Sequence, residues 1–163
     1  MQNKTKVLLL STLFCLLVFI DTIFKHLADK LLNFGESITF IPNVVSFEKV
    51  YNTGAAFGIF TNASVILTII SIIISVFIII YLFSKNFHKS DIEYFSLIFI
   101  LAGAIGNTID RIFYNHVIDF ISLQFVSFPV FNFADICINI GVISLLIIYI
   151  FGKNNDSGKI YKN

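Results

Sequence analysis

Gly103-Ala104-Ile105-Gly106-Asn107-Thr108-Ile109-Asp110-Arg111, followed by Val117-Ile118-Asp119-Phe120 and then Phe131-Asn132-Phe133-Ala134-Asp135, is the stretch whose reading decides the fold. It lies where the third long apolar run of the chain ends and the fourth begins. Wound as an α-helix, Gly103, Gly106, Asn107, Asp110 and Arg111 follow the i, i+3, i+4, i+7, i+8 series and share one face. A stripe of small and polar residues on an otherwise apolar helix must face protein rather than lipid. Ionisable groups near hydrocarbon are expensive, so Asp110, Arg111, Asp119 and Asp135 each need a partner or a task.

The runs around this stretch are membrane-spanning by composition. The 163 residues are 57% hydrophobic and 13% charged, against roughly 45–50% and about 25% in soluble domains. At about 20 residues per span, that length holds four spans and one small extramembrane element, as a single integral-membrane domain over residues 1–163. The expected class is an all-α membrane protein with four transmembrane helices, over about 5–24, 63–83, 91–110 and 133–151, and a small extracytoplasmic β-rich element. The extracytoplasmic segments are then about 25–62 and 111–132. A net charge of +1 supplies no basic field for nucleic acid and sets that class aside. Cys15 and Cys137 fall inside apolar runs and read as small buried hydrophobes. His26, His88 and His116 are scattered and no Cys-x-x-Cys or His-x-x-x-His spacing occurs, so no metal site is expected.

Outward from the central stretch, Lys4 and Lys6 precede the uncharged run 7–20, with no small-residue cleavage site after it, which reads as an uncleaved first span. Asp21, Lys25 and Asp29 step by four and are expected on one helix face. Residues 38–41 and 44–47 are β-prone and are split by the turn signal Pro42-Asn43, which predicts a short sheet on the membrane surface. Asn52-Thr53-Gly54-Ala55-Ala56-Phe57-Gly58 gathers small residues, either to let backbone approach a ligand or helix closely or as an ordinary turn. Asn62 is the expected cap of the second span, and Ser90-Asp91-Ile92-Glu93 is a capping box that opens the third helix. Residues 117–125 read as extended, and Asn132 with Asp135 marks the start of the fourth helix. Gly152 and Lys153 are expected to close that helix before a polar, mobile tail.

Orientation follows from the basic residues. Lys4, Lys6, Lys85, Lys89, Lys153, Lys159 and Lys162 fall on the side of the termini, and Lys25, Lys30, Lys49 and Arg111 on the other. Both termini are therefore expected in the cytoplasm. Asp21, Asn52, Asp110, Arg111, Asp119, Asn132 and Asp135 then converge on the outer face from separate stretches, which is the main functional signal.

No Gly-x-Ser-x-Gly elbow is present, which leaves the carboxylates Asp119 and Asp135, able to approach across the gap between the third and fourth helices. Like charges a few ångströms apart do not both ionise cheaply, so one keeps a proton. The ionised member would activate a water while the protonated one polarises a peptide carbonyl. The helix dipole favours Asp135 as the ionised member, by roughly 0.3–1 kcal/mol if exposed, but a coupled pair titrates jointly and the assignment stays open. Asp110 and Arg111 point about 100° apart on a helix and do not pair. Arg111 is left to hold a lipid phosphate, a backbone carbonyl or one of the carboxylates, as a clamp or a substrate contact. Two other readings are a structural membrane subunit and a small ion-coupled membrane transporter, though such carriers usually bind near the midplane and show repeated halves.

Five motifs in order, Asp21 with Lys25, residues 52–58, residues 103–107 with Asp110-Arg111, residues 117–120 and residues 131–135, make the chain resemble the lipoprotein signal peptidase (signal peptidase II) family of bacterial integral-membrane aspartic endopeptidases. The resemblance implies that Asp119 and Asp135 are the catalytic pair. It implies supporting roles for Asn52, Gly54, Gly103, Asn107, Arg111, Asn132 and Ala134, and structural roles for Asp21, Lys25 and Asp110. Its implied substrates are diacylglyceryl-modified prolipoproteins, whose signal peptides are cut just before the lipidated cysteine, with no metal or organic cofactor. It also implies a multi-pass monomer among the lipids of the bacterial cytoplasmic (inner) membrane, with its active site at the outer face, inhibited by globomycin-type cyclic peptides. Ala102 and Asn115 depart from the family pattern, which has glycine at both; alanine still allows close helix approach, and asparagine tolerates left-handed backbone. Residues 33–60 are expected to close over the site from outside.

Overall fold

The computed structural model describes residues 4–54, 63–84 and 90–156, with side chains as far as Phe151. Four helices, α1 (Lys4–Leu31), α2 (Ser64–Phe83), α3 (Asp91–Tyr114) and α4 (Phe133–Asp156), are joined with three strands, β1 (Ser37–Ile41), β2 (Val45–Asn52) and β3 (Val117–Leu123). All four helices are long and apolar enough to cross a membrane. The chain is a multi-pass membrane protein with a small sheet at the end where α1 and α3 finish and α2 and α4 begin.

The helices do not share the burial equally. Protein covers 61% of the apolar window of α3 but only 11–17% of the other three. So α3 is the central rod, packed against α1, α2 and α4, while the others turn Leu, Ile and Phe side chains outward. Lipid tails are as apolar as those side chains, so the bundle is held by close packing and polar contacts rather than by the hydrophobic effect. Two glycines make the α3–α4 crossing close. A Cβ on Gly103 would collide with the Ala134 carbonyl oxygen, and one on Gly141 would come within 2.5 Å of the Ser96 carbonyl oxygen. At the opposite end from the sheet, Lys6 of α1 pairs with Asp91 at 2.6 Å and lies 3.9 Å over the Tyr94 ring of α3.

Local chemistry sets the helix ends. The Ser90 hydroxyl accepts from the Glu93 N–H at 3.2 Å and opens α3. Asn115 closes it in the left-handed conformation at φ 61°, donating its N–H to the Arg111 carbonyl at 3.0 Å. Ala63 takes the position before α2 and makes no side-chain cap bond; the expected cap, Asn62, lies outside the described residues, as do residues 55–61 and the tail from 157. Three ends differ from expectation. α3 runs four residues past position 110, to Tyr114. α1 runs seven residues past position 24, and α4 continues through Gly152 and Lys153 to Asp156. A glycine costs a helix only about 1 kcal/mol, and no proline follows to stop it. Cys137 is buried as expected, but Cys15 is exposed on the outside of α1.

The sheet has the order β1-β2-β3, antiparallel throughout. Pro42 and Asn43 make the β1–β2 turn, with Asn43 at φ 61° and the Val44 N–H bonded to the Ile41 carbonyl at 3.0 Å, the residue choice that a type II turn requires. The two-residue alternation of β3 divides its side chains. Ile118 and Phe120 join Ala28 and Leu32 of α1 in a small core, while Val117, Asp119 and Leu123 face a cavity between β3, α2, α3 and α4.

Candidate active site

The fourth helix begins with a reciprocal cap. The Asn132 side-chain oxygen accepts from the Asp135 N–H at 3.1 Å, and the Asp135 carboxylate accepts from the Asn132 N–H at 3.1 Å. This capping box satisfies two N–H groups at the start of α4 and fixes Asp135 at its third position, beside the positive end of the helix dipole. Asn132 is fully buried and reaches the second carboxylate as well, its Nδ2 donating to Asp119 Oδ1 at 2.6 Å. One residue thus holds both aspartates at the wall of one cavity.

Three asparagines surround the pair, and in each the amide orientation follows from a partner that can only donate. Asn107 Oδ1 accepts from Lys25 Nζ at 2.9 Å, so its Nδ2 faces Asp135 Oδ1 at 2.8 Å. Asn132 Oδ1 is taken by the Asp135 N–H, so its Nδ2 faces Asp119. Asn52 Oδ1 accepts from the Gly54 N–H at 2.9 Å, and its Nδ2 donates to Asp119 Oδ2 at 2.9 Å. An ammonium or a backbone N–H has no lone pair to offer, so each oxygen is pinned and each nitrogen is directed at a carboxylate. Asp119 sits on β3 outside the spans, and burial together with the neighbouring Asp135 charge pushes its pKa up to about 7, against the opposing effect of the Asn52 and Asn132 donors.

Behind the cavity lies a buried ion cluster. Lys25 Nζ meets Asp21 at 2.8 Å, Asp110 at 3.0 Å and Asn107 at 2.9 Å, so all three of its N–H donors are used. Lys25 and Asp21 are each only 2% exposed, which rules out a solvated helix end and accounts for the polar stripe on α3. Asp21 also accepts from the Ala134 N–H at 2.9 Å, supporting the α4 terminus, and Asp110 accepts from the Ile118 N–H at 3.4 Å at the start of β3. Gly106 makes room for this, because a Cβ there would stand 2.5 Å from Asp21 Oδ2. Asp29 does not join the cluster; it accepts instead from Lys49 at 3.4 Å and the Tyr51 hydroxyl at 2.6 Å on β2. Steps of four drift about 40° each around a helix, so eight residues carry Asp29 well away from Asp21.

The cavity holds about 600 Å³. Of the residues expected at the site, Asn52, Gly54, Asn107, Arg111, Asp119 and Asp135 line it. Asn132 and Ala134 stand behind it, wholly buried, and Gly103 acts one layer further back by letting α3 meet the Ala134 backbone. Arg111 takes the backbone-carbonyl option among those open to it, donating to Gly54 O at 3.3 Å and Asn107 O at 3.5 Å. Two lining side chains, Ser71 on α2 and Asn139 on α4, were not singled out from the sequence. A lone serine or asparagine inside an apolar run carries no motif; only the four-residue step from Asp135 to Asn139, about one helical turn, hints at it.

A model of the family described as signal peptidase (SPase) II matches residues 13–151. The lipoprotein signal peptidase of Enterococcus faecalis is 40% identical over 138 residues, 85% of each chain. That of Clostridium tetani is 37% identical over 147 residues, 88% of this chain and 94% of the relative. A solved structure described as a bacterial membrane enzyme, determined by the in meso method at 2.3 Å resolution, is similar with a TM-score of 0.84 at 30% identity, covering 99% of this chain and 95% of that one.

Proposed function

The chain belongs to the signal peptidase II family, and on that premise we propose that it removes signal peptides from diacylglyceryl-modified prolipoproteins by aspartic catalysis, cutting just before the lipidated cysteine. The observation that carries the reading is the convergence of Asp119 and Asp135 on one cavity, each held by two amide donors.

In this reading Asp135, at a helix N-terminus, is the charged member and takes a proton from the attacking water. Asp119, whose pKa is raised to about 7, holds the proton below that pH and donates it toward the scissile carbonyl as that oxygen gains charge. The tetrahedral intermediate then collapses, the leaving amine gaining a proton and the two carboxyls returning to one shared hydrogen. The pinned amides keep both carboxyls from rotating, so little reorganisation is needed at the moment of reaction. Arg111 holds the backbone at Gly54, the described edge of the segment 52–58, against α3.

The walls fit the substrate. Leu67, Ile70 and Ile74 of α2 and Ile136, Ile140 and Ile143 of α4 give an apolar slot that runs down from the acids, suited to a signal helix and acyl chains arriving sideways from the bilayer. Asp119 lies on a strand and Asp135 in the first helical turn, not at mid-span where a carrier would bind its ion. The same reading makes the protein a monomer in the cytoplasmic membrane, open to block by globomycin-type cyclic peptides in the same slot. The test is to reconstitute purified protein with a prolipoprotein in lipidated and unlipidated forms and sequence the products by mass spectrometry. A new N-terminus at the cysteine of the lipidated form alone is expected; no cut, or a cut elsewhere, would remove the proposal.

A further inference from the structure

Asn139 lies one turn along α4 from Asp135, about 6 Å deeper into the span at 1.5 Å per residue. It is exposed and shares the cavity wall with Ile136, Ile140 and Ile143. Its Nδ2 donates to the Asp135 carbonyl at 2.9 Å, which leaves one N–H and the side-chain oxygen without a partner among the described residues. A polar group in a transmembrane segment faces protein or a cavity that has a use for it. Ser71, the other polar side chain in this deeper wall, already donates to the Ala104 carbonyl at 3.3 Å.

A helical signal peptide cannot present its scissile bond without unwinding, and each backbone N–H and C=O released into an apolar slot is costly unless a partner is supplied. An amide with one free donor and one free acceptor matches a peptide group on both counts. We propose that Asn139 is a positioning residue that hydrogen-bonds the main chain of the substrate just on the membrane-interior side of the bond to be cut, where the signal helix is pulled open. This rests on the function given above and adds to it the group that makes unwinding tolerable below the acids.

The test is a thermodynamic cycle with synthetic lipopeptide substrates in which each of the four peptide bonds before the scissile one is replaced in turn by an ester, which removes the N–H. At one position the ester lowers kcat/KM of the native enzyme by about 10- to 100-fold. With Asn139→Leu, or with Asn139→Ala if the first fails to fold, the all-amide substrate is already slowed by that factor and the same ester adds less than about threefold. Asn139→Gln recovers part of the rate. Effects that simply multiply at all four positions, or an Asn139→Leu enzyme that cuts normally, would overturn the inference. Failure of the native enzyme to cut the all-amide lipopeptide would instead remove the function reading, and this inference with it.

Discussion

At Asn107 a single amide links the buried cation to Asp135, one of the two proposed catalytic acids, accepting from Lys25 and donating to Asp135. Asn107→Leu therefore leaves Asp135 one donor short and Lys25 one acceptor short. A hydrogen bond to a charged group contributes about 1.5–3 kcal/mol, so kcat should fall by roughly 10- to 150-fold, with the helical circular dichroism retained. Asp119 gives a second expectation, in pH. Its proton is held below about pH 7 in the folded protein, so kcat/KM should decline as pH rises through that value and the shared proton is lost. The Asn52 donor favours the ionised form; Asn52→Ala should therefore lower the maximum and move the alkaline limb to higher pH, and a limb that stays put would break the assignment. Stability has the same sign. Between about pH 4 and 7 the folded state holds a proton at Asp119 that the unfolded chain has released, so stability falls as pH rises across that window.

The α3–α4 crossing rests on Gly103, and Gly103→Val should force the Ala134 backbone away and lower stability by about 1–3 kcal/mol, read as a drop in thermal midpoint in detergent together with lost cleavage. The α1–α3 tie rests on Lys25. Lys25→Met strands two buried carboxylates and should cost about 3–5 kcal/mol, whereas Lys25→Met with Asp21→Asn and Asp110→Asn should recover much of that loss. Elements with their own chemical punctuation were legible in the sequence: Ser90 to Glu93 opened α3, Pro42-Asn43 made the turn, and Asn132 with Asp135 began α4. The end of α1 was not, because Asp21 and Lys25 look like the start of solvent when read alone, yet they neutralise each other within protein and let the helix run on to Leu31. Strand partners were hidden too. Nothing local says that Asn52 will lie opposite Val117 and so reach Asp119, since pairing depends on the whole arrangement. Ser71 and Asn139 escaped notice for a related reason: their meaning comes from the cavity they border.

For the assembled protein, the sheet, the two acids and the ends of four helices lie together at one end of the bundle, and the asymmetry of basic residues supports the proposal that this end faces outward from the cytoplasmic membrane. In a background of Cys15→Ser and Cys137→Ser, a thiol placed by Glu48→Cys should react with a membrane-impermeant reagent in intact cells, and one placed by Lys159→Cys only after lysis; the reverse pattern would invert the orientation. The central claim is that two acids act as one catalytic unit, and it is met most directly by purifying wild type, Asp119→Asn and Asp135→Asn, confirming that each keeps its thermal transition, and following cleavage of a lipidated prolipoprotein in reconstituted membranes. The account predicts that both variants stay folded and that both lose cleavage; a folded variant of either kind that still cuts before the lipidated cysteine would contradict it.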